Sequence, residues 1–147
     1  MRTASVVAVL AAISVSASSS APAPRGSPSQ YLIYFGTYTG PVSKGIYVAR
    51  FDTASGKVDE PRLAAEITRP SWVTIHPNQR FLYAISETGY GGGGEGTITS
   101  FSIDPASGTL TKLNDVSTGG GGPCHLAIDR AAKTIFVANY GSGSTAA

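Results

Sequence analysis

With 147 residues and one cysteine, Cys124, the chain has no intramolecular disulfide framework, and without CxxC spacing it offers no structural zinc site. Its formal charge of +2 comes from 11 Lys/Arg against 9 Asp/Glu; two of those cations, Arg2 and Arg25, precede Tyr31, so the remainder is balanced. The cations are scattered rather than grouped on one stripe, which argues against nucleic acid or an anionic membrane as partner, while 18 Gly and 9 Pro point to many turns and little helix.

Residues 1–23 read as a cleavable export signal, with Arg2 as the positive end, Val6 to Val15 as the apolar run and Val15-Ser16-Ala17 as a small-residue cleavage site. The competing reading is a membrane anchor, but a spanning helix needs about 20 predominantly apolar residues. Ser14, Ser16 and the serines at 18–20 interrupt this run. The expected location is secreted or periplasmic, with no membrane association beyond export. Residues 24–30, PRGSPSQ, form a Pro/Ser-rich linker with too little apolar surface to order itself.

From Tyr31 onward the chain is a series of short β candidates: YLIYFG, GIYVARF, VTIH, FLYAIS, TITSFSI, LAID and TIFVAN, each ended by Gly, Pro, Asp or Asn. None sustains a helical period. Asp52 to Gly56 and Asp104 to Gly108 each open with a carboxylate able to accept a nearby backbone N–H, and each ends with a glycine suited to a positive φ. His76-Pro77-Asn78 makes another tight reversal.

The segments repeat. Residues 69–87 (RPSWVTIHPNQRFLYAISE) and 122–140 (GPCHLAIDRAAKTIFVANY) share their apolar register 53 positions apart, and FDTASGKV recurs as IDPASGTL. Tyr31 to Phe35 is an earlier copy of Phe81 to Ile85. In Phe81 to Ser86 neither face is polar, so the sheet is expected to be covered on both sides. A period of roughly 50 residues filled with short strands describes a propeller blade. The expected fold is all-β: a partial β-propeller over residues 31–147, about two four-stranded blades of an expected seven. The pattern stops in mid-repeat near Tyr140, as an N-terminal fragment of a longer propeller would.

The segments YFGTYT, KGIYVARFD, RPSWVTIHPNQRFLYAISE, FSIDPASGTL and GGGGPCHLAID resemble, as an ordered set, the seven-bladed propeller lactonases, a group that includes 6-phosphogluconolactonase-like and carboxymuconate cyclase-like proteins. The resemblance covers about the first third of such a protein. It implies a small-molecule lactone substrate, no cofactor and no metal, and polar residues at one mouth of the central channel carrying the site. Later blades would supply several of those residues. A phosphorylated sugar lactone is not expected outside the cytoplasm, so the resemblance does not fix the substrate. The alternative on the same fold is a non-catalytic binding or interaction module, and uncovered blade edges are expected to self-associate.

Lactone hydrolysis needs a base for water and a donor for the developing oxyanion. His125 is the candidate base: histidine ordinarily titrates near neutral pH, and His125 occupies the repeat position held by Trp72. The competing reading is a surface or hydrogen-bonded core histidine. Glu87 ends the FLYAIS strand where a propeller presents side chains to its channel, with a solvated loop carboxylate as the alternative. His76 reads as a turn cap. Cys124 reads as a buried small hydrophobe facing away from His125. Gly89 to Gly94 formally fits GxGxxG, but it leads into a strand rather than a helix and reads as a hairpin loop.

Overall fold

The computed structural model describes residues 29–147. The export-signal segment and most of the linker lie outside the described residues; the last linker residue, Gln30, already belongs to the first strand. Three antiparallel sheets follow in chain order. The first contains β1 (Gln30–Phe35), β2 (Gly45–Asp52), β3 (Lys57–Val58) and β4 (Arg62–Glu66), with β2 pairing β1 on one side and both β3 and β4 on the other. The second is a meander of β5 (Val73–Ile75), β6 (Phe81–Ser86), β7 (Thr97–Ile103) and β8 (Leu110–Ser117). The third holds β9 (Pro123–Ile128), β10 (Ile135–Asn139) and β11 (Ser144–Ala146). This is the all-β partial propeller expected from the repeat, with the third sheet already begun. Among the described residues no helix is long and apolar enough to cross a membrane.

The second sheet explains why Phe81–Ser86 carries no polar face. Leu82 and Ala84 join Ile46, Val48 and Phe101 in the core between the first and second sheets. Ile85, with Tyr83 beside it, packs on Leu126 and Val137 between the second and third. Alternate side chains of one strand thus serve two cores, and each fully buried Leu, Ile or Phe contributes about 1.5–3 kcal/mol relative to exposure. The turns are locked as the sequence demands: Asp104 Oδ1 accepts from the N–H groups of Ala106 and Ser107 at 2.8 and 3.0 Å. Those backbone donors, Ser107 first, hold the Asp104 carboxyl below its ordinary range. Gly108 closes that turn at φ 76 and lets its carbonyl accept from the Tyr34 hydroxyl at 2.9 Å, tying the first two sheets together.

β3, β4, β8 and β11 have no counterpart among the strands read from sequence. Every residue of β8 after Leu110 is exposed, so its pairing with β7 leaves no hydrophobic alternation to detect. The reading of Cys124 as buried is overturned, because the thiol is exposed. In β9 His125 pairs with Ala138 and Pro123 with Asn139, so Cys124 is the extra residue of a bulge. The bulge breaks the in-out alternation that would have separated Cys124 from His125, and both side chains lie on the surface.

Candidate active site

β5 and β6 run antiparallel with Val73 opposite Ala84, which brings the segment before β5 beside the loop after β6. Arg69 and Ser71 come from the first segment, Glu87 and Tyr90 from the second, and Tyr38 from the loop after β1. Their side chains converge on Glu87, which is only 6% exposed. Its Oε2 accepts from the Tyr38 hydroxyl at 2.7 Å, and its Oε1 accepts from the Tyr90 hydroxyl. The Glu87 N–H donates to the Arg69 carbonyl at 3.1 Å, fixing the carboxylate's root.

Burial by itself pushes the Glu87 carboxyl up, but the hydroxyls of Ser71, Tyr90 and Tyr38 and the Arg69 charge together outweigh it and leave the group below its ordinary value of 4.5. Ser71 acts by proximity, since its buried Oγ makes no hydrogen bond of full geometry. The phenols respond in the opposite sense. Donation to Glu87, with some burial, pushes Tyr90 up to about 12 and raises Tyr38 as well. The cluster is thus an ionised carboxylate clasped by two phenols that keep their protons.

Arg69 stands over both phenol rings, its guanidinium carbon 5.2 Å from the Tyr38 centroid and 6.0 Å from that of Tyr90. Tyr90 belongs to a short 3₁₀ turn, Tyr90–Gly92, inside the GYGGGG hairpin loop. Its ring is seated against Gly122, where a Cβ would fall 2.6 Å from the ring at φ 61. Gly121 lies still closer to the chain: a Cβ there would stand 1.9 Å from the Gly89 carbonyl oxygen. The glycine run before β9 therefore lets the third sheet's loop close on the Glu87 cluster.

Of the two residues singled out in sequence, Glu87 is the hub of this arrangement and His125 is outside it. His125 is exposed and stacks on Trp72 with ring centroids 4.3 Å apart at 49°. The Trp72 Nε1–H donates to the Leu126 carbonyl at 3.1 Å. Among the described residues no hydrogen bond joins the His125 imidazole to Glu87 or Arg69. His76 caps its own turn, its Nδ1 accepting from the Asn78 N–H at 3.2 Å. Tyr38, Arg69, Ser71 and Tyr90 were not read as site residues, because tyrosine and serine in a β-rich chain are ordinarily packing and turn residues. The motif segments YFGTYT and RPSW, which contain three of the four, were the available signal. Among the described residues no group of three or more His, Cys, Asp or Glu side chains could hold a metal ion. A cleft of about 720 Å³ lined by Tyr31, Leu32 and His76 lies away from this chemistry, whereas a smaller one of about 230 Å³ borders the cluster through Thr68 and Ser86.

Residues 32–147 match the model of the "Lactonase, 7-bladed beta-propeller" family. The chain is 38% identical over 114 residues to the 6-phosphogluconolactonase of Bacillus subtilis, covering 78% of this chain and 32% of that protein. Among solved structures it is similar to the periplasmic gluconolactonase of Pseudomonas aeruginosa, with TM-score 0.69 and 40% identity over 76% of this chain and 31% of that one. A Bacteroides fragilis protein solved as a candidate 6-phosphogluconolactonase gives TM-score 0.73 and 33% identity over 83% of this chain and 33% of that one. The chain therefore spans about a third of the length of these relatives. A repeat of small antiparallel sheets sharing cores face to face, the ordered motifs and these likenesses converge: the chain belongs to the seven-bladed β-propeller lactonase family.

Proposed function

We propose that this chain is the N-terminal part of an exported lactonase that opens a sugar or other hydroxy-acid lactone. The observation that carries the reading is Glu87, a buried carboxylate kept ionised beside a guanidinium at the end of β6. In the proposed reaction water adds to the lactone carbonyl carbon while Glu87 receives its proton, and the Arg69 N–H groups face the oxygen on which negative charge gathers. The ring C–O bond then breaks, the ring oxygen takes up the proton, and the product is the open hydroxy acid. His125, stacked on Trp72, is the alternative proton acceptor, and substituting each residue separately assigns the step. Export is supported by the pattern of residues 1–23 and by the likeness to the periplasmic gluconolactonase of Pseudomonas aeruginosa.

Residues 31–147 alone are proposed to be inactive, since a channel site gathers groups from around the ring and loses positioning when most of them are missing. The test is a panel of lactones followed by pH-stat with the full-length protein. Turnover that falls in Glu87→Gln or His125→Ala supports the reading. Absence of turnover on every lactone, with both variants equal to wild type, overturns it. A second reading, a binding propeller without chemistry, is favoured by the two phenols that make Glu87 a weaker base. Tight binding of a lactone that is never hydrolysed would establish that reading instead.

A further inference from the structure

Arg69 is held in a way that ordinary packing does not require. Its backbone sits at φ 47, in the left-handed region that residues with a Cβ seldom occupy. Three contacts keep it there: its N–H donates to Thr39 Oγ1 at 3.2 Å, and its carbonyl accepts from the N–H groups of Ser71 and Glu87 at 2.8 and 3.1 Å. The side chain is steered by the Tyr38 and Tyr90 rings, and both phenols are themselves pinned to Glu87. Yet the guanidinium is unspent. Among the described residues the ion pairs are Lys44 with Glu66 and Lys112 with Asp115, Arg69 makes no side-chain hydrogen bond, and its buried Nε has no acceptor. The buried Ser71 Oγ, two residues along the same segment, also lacks a partner.

An oriented fork of N–H donors with no acceptor matches the planar, two-oxygen geometry of a carboxylate. Glu87 accepts one phenol on each oxygen, and a carboxylate has capacity for about two more donors, so it can also take a ligand hydroxyl. We propose that Arg69, Ser71 and Glu87 form a subsite for a hydroxycarboxylate, whose carboxylate pairs with the Arg69 guanidinium and Ser71 hydroxyl while a neighbouring hydroxyl donates to Glu87. The inference rests on the lactonase reading, because such a molecule is what a sugar lactone becomes when its ring opens. The single cation of the cluster suits one carboxylate, and the site therefore retains its own product.

The test is calorimetric titration of the full-length protein with gluconate and with sorbitol, which has the hydroxyls and no carboxylate. Arg69→Met is expected to weaken gluconate roughly 10- to 100-fold, the loss of one or two charged hydrogen bonds, and to leave sorbitol unchanged. Arg69→Lys, which keeps the charge but not the fork, is expected to recover only part of the loss. Ser71→Ala should weaken gluconate less than Arg69→Met does. Equal gluconate affinity in wild type and Arg69→Met overturns the proposal, as does loss of sorbitol in parallel with gluconate, which marks a structural residue. Lactone turnover is read separately. Turnover with Arg69-independent gluconate binding sinks the subsite and leaves the lactonase reading standing, whereas Arg69-dependent gluconate binding without turnover does the reverse.

Discussion

Replacing Glu87 by Gln removes the charge around which the cluster is built while keeping its shape. Two phenol-to-carboxylate hydrogen bonds are lost or weakened, each worth about 1.5–3 kcal/mol when fully shielded. Tyr38 is 60% exposed and Tyr90 40% exposed, so solvent screening brings the expected destabilisation at neutral pH down to about 1–2 kcal/mol in all. Its pH dependence follows from linkage. The folded Glu87 carboxyl lies below its ordinary 4.5, so its contribution is complete above that value and disappears as pH falls through the lower folded value. The gap between wild type and Glu87→Gln should therefore close in acid. Tyr90, raised from 10.0 to about 12, contributes stability below 10 that is lost as pH climbs through about 12. Ultraviolet titration of the phenolates gives the direct reading, with Tyr90→Phe identifying the late component. In Glu87→Gln that component should move back toward 10. Superimposable phenolate curves for wild type and Glu87→Gln, with a urea-unfolding gap that persists in acid, would refute the cluster as described.

Gly122→Ala should destabilise the protein by about 2–4 kcal/mol, combining the cost of a left-handed alanine with a Cβ driven into the Tyr90 ring. Adding Tyr90→Ala should recover only the part due to the ring, because the new Cβ also stands 2.9 Å from the Gly141 backbone nitrogen; a double-mutant unfolding cycle measures that part. Trp72 is the chain's one tryptophan, so steady-state fluorescence reports directly on its stack with His125. His125→Ala should raise the emission yield, and an unchanged spectrum would show that the rings do not meet in solution. Purified residues 31–147 should self-associate and melt at low temperature without turning over any lactone, because among the described residues Phe136 is half exposed on the third sheet and no strand stands beside β1 where β5 stands beside β6. A cooperative, thermostable, active monomer in sedimentation and pH-stat assays would contradict that expectation.

Local information sufficed for much of the architecture. The apolar register of residues 69–87 and 122–140 could be read directly, because β6 serves two cores and so cannot carry a polar face. The Asp104 turn was legible for the same reason, since its carboxylate and its backbone donors lie within a few residues of one another. Glu87 was legible as the polar residue that ends a buried strand. β8 was not, because its stability comes from pairing with β7 and leaves no trace in hydrophobicity. The exposure of Cys124 was decided by a bulge in the β9–β10 pairing, which depends on the partner strand's register. The cluster as a cluster belongs to tertiary structure alone. Tyr38 and Glu87 are 49 residues apart in sequence, and their hydrogen bond exists only because the first two sheets share a core that brings the ends of β1 and β6 together. Arg69 became recognisable only once its backbone strain and unpaired Nε could be seen, and neither a φ angle nor a missing partner is written in the order of residues.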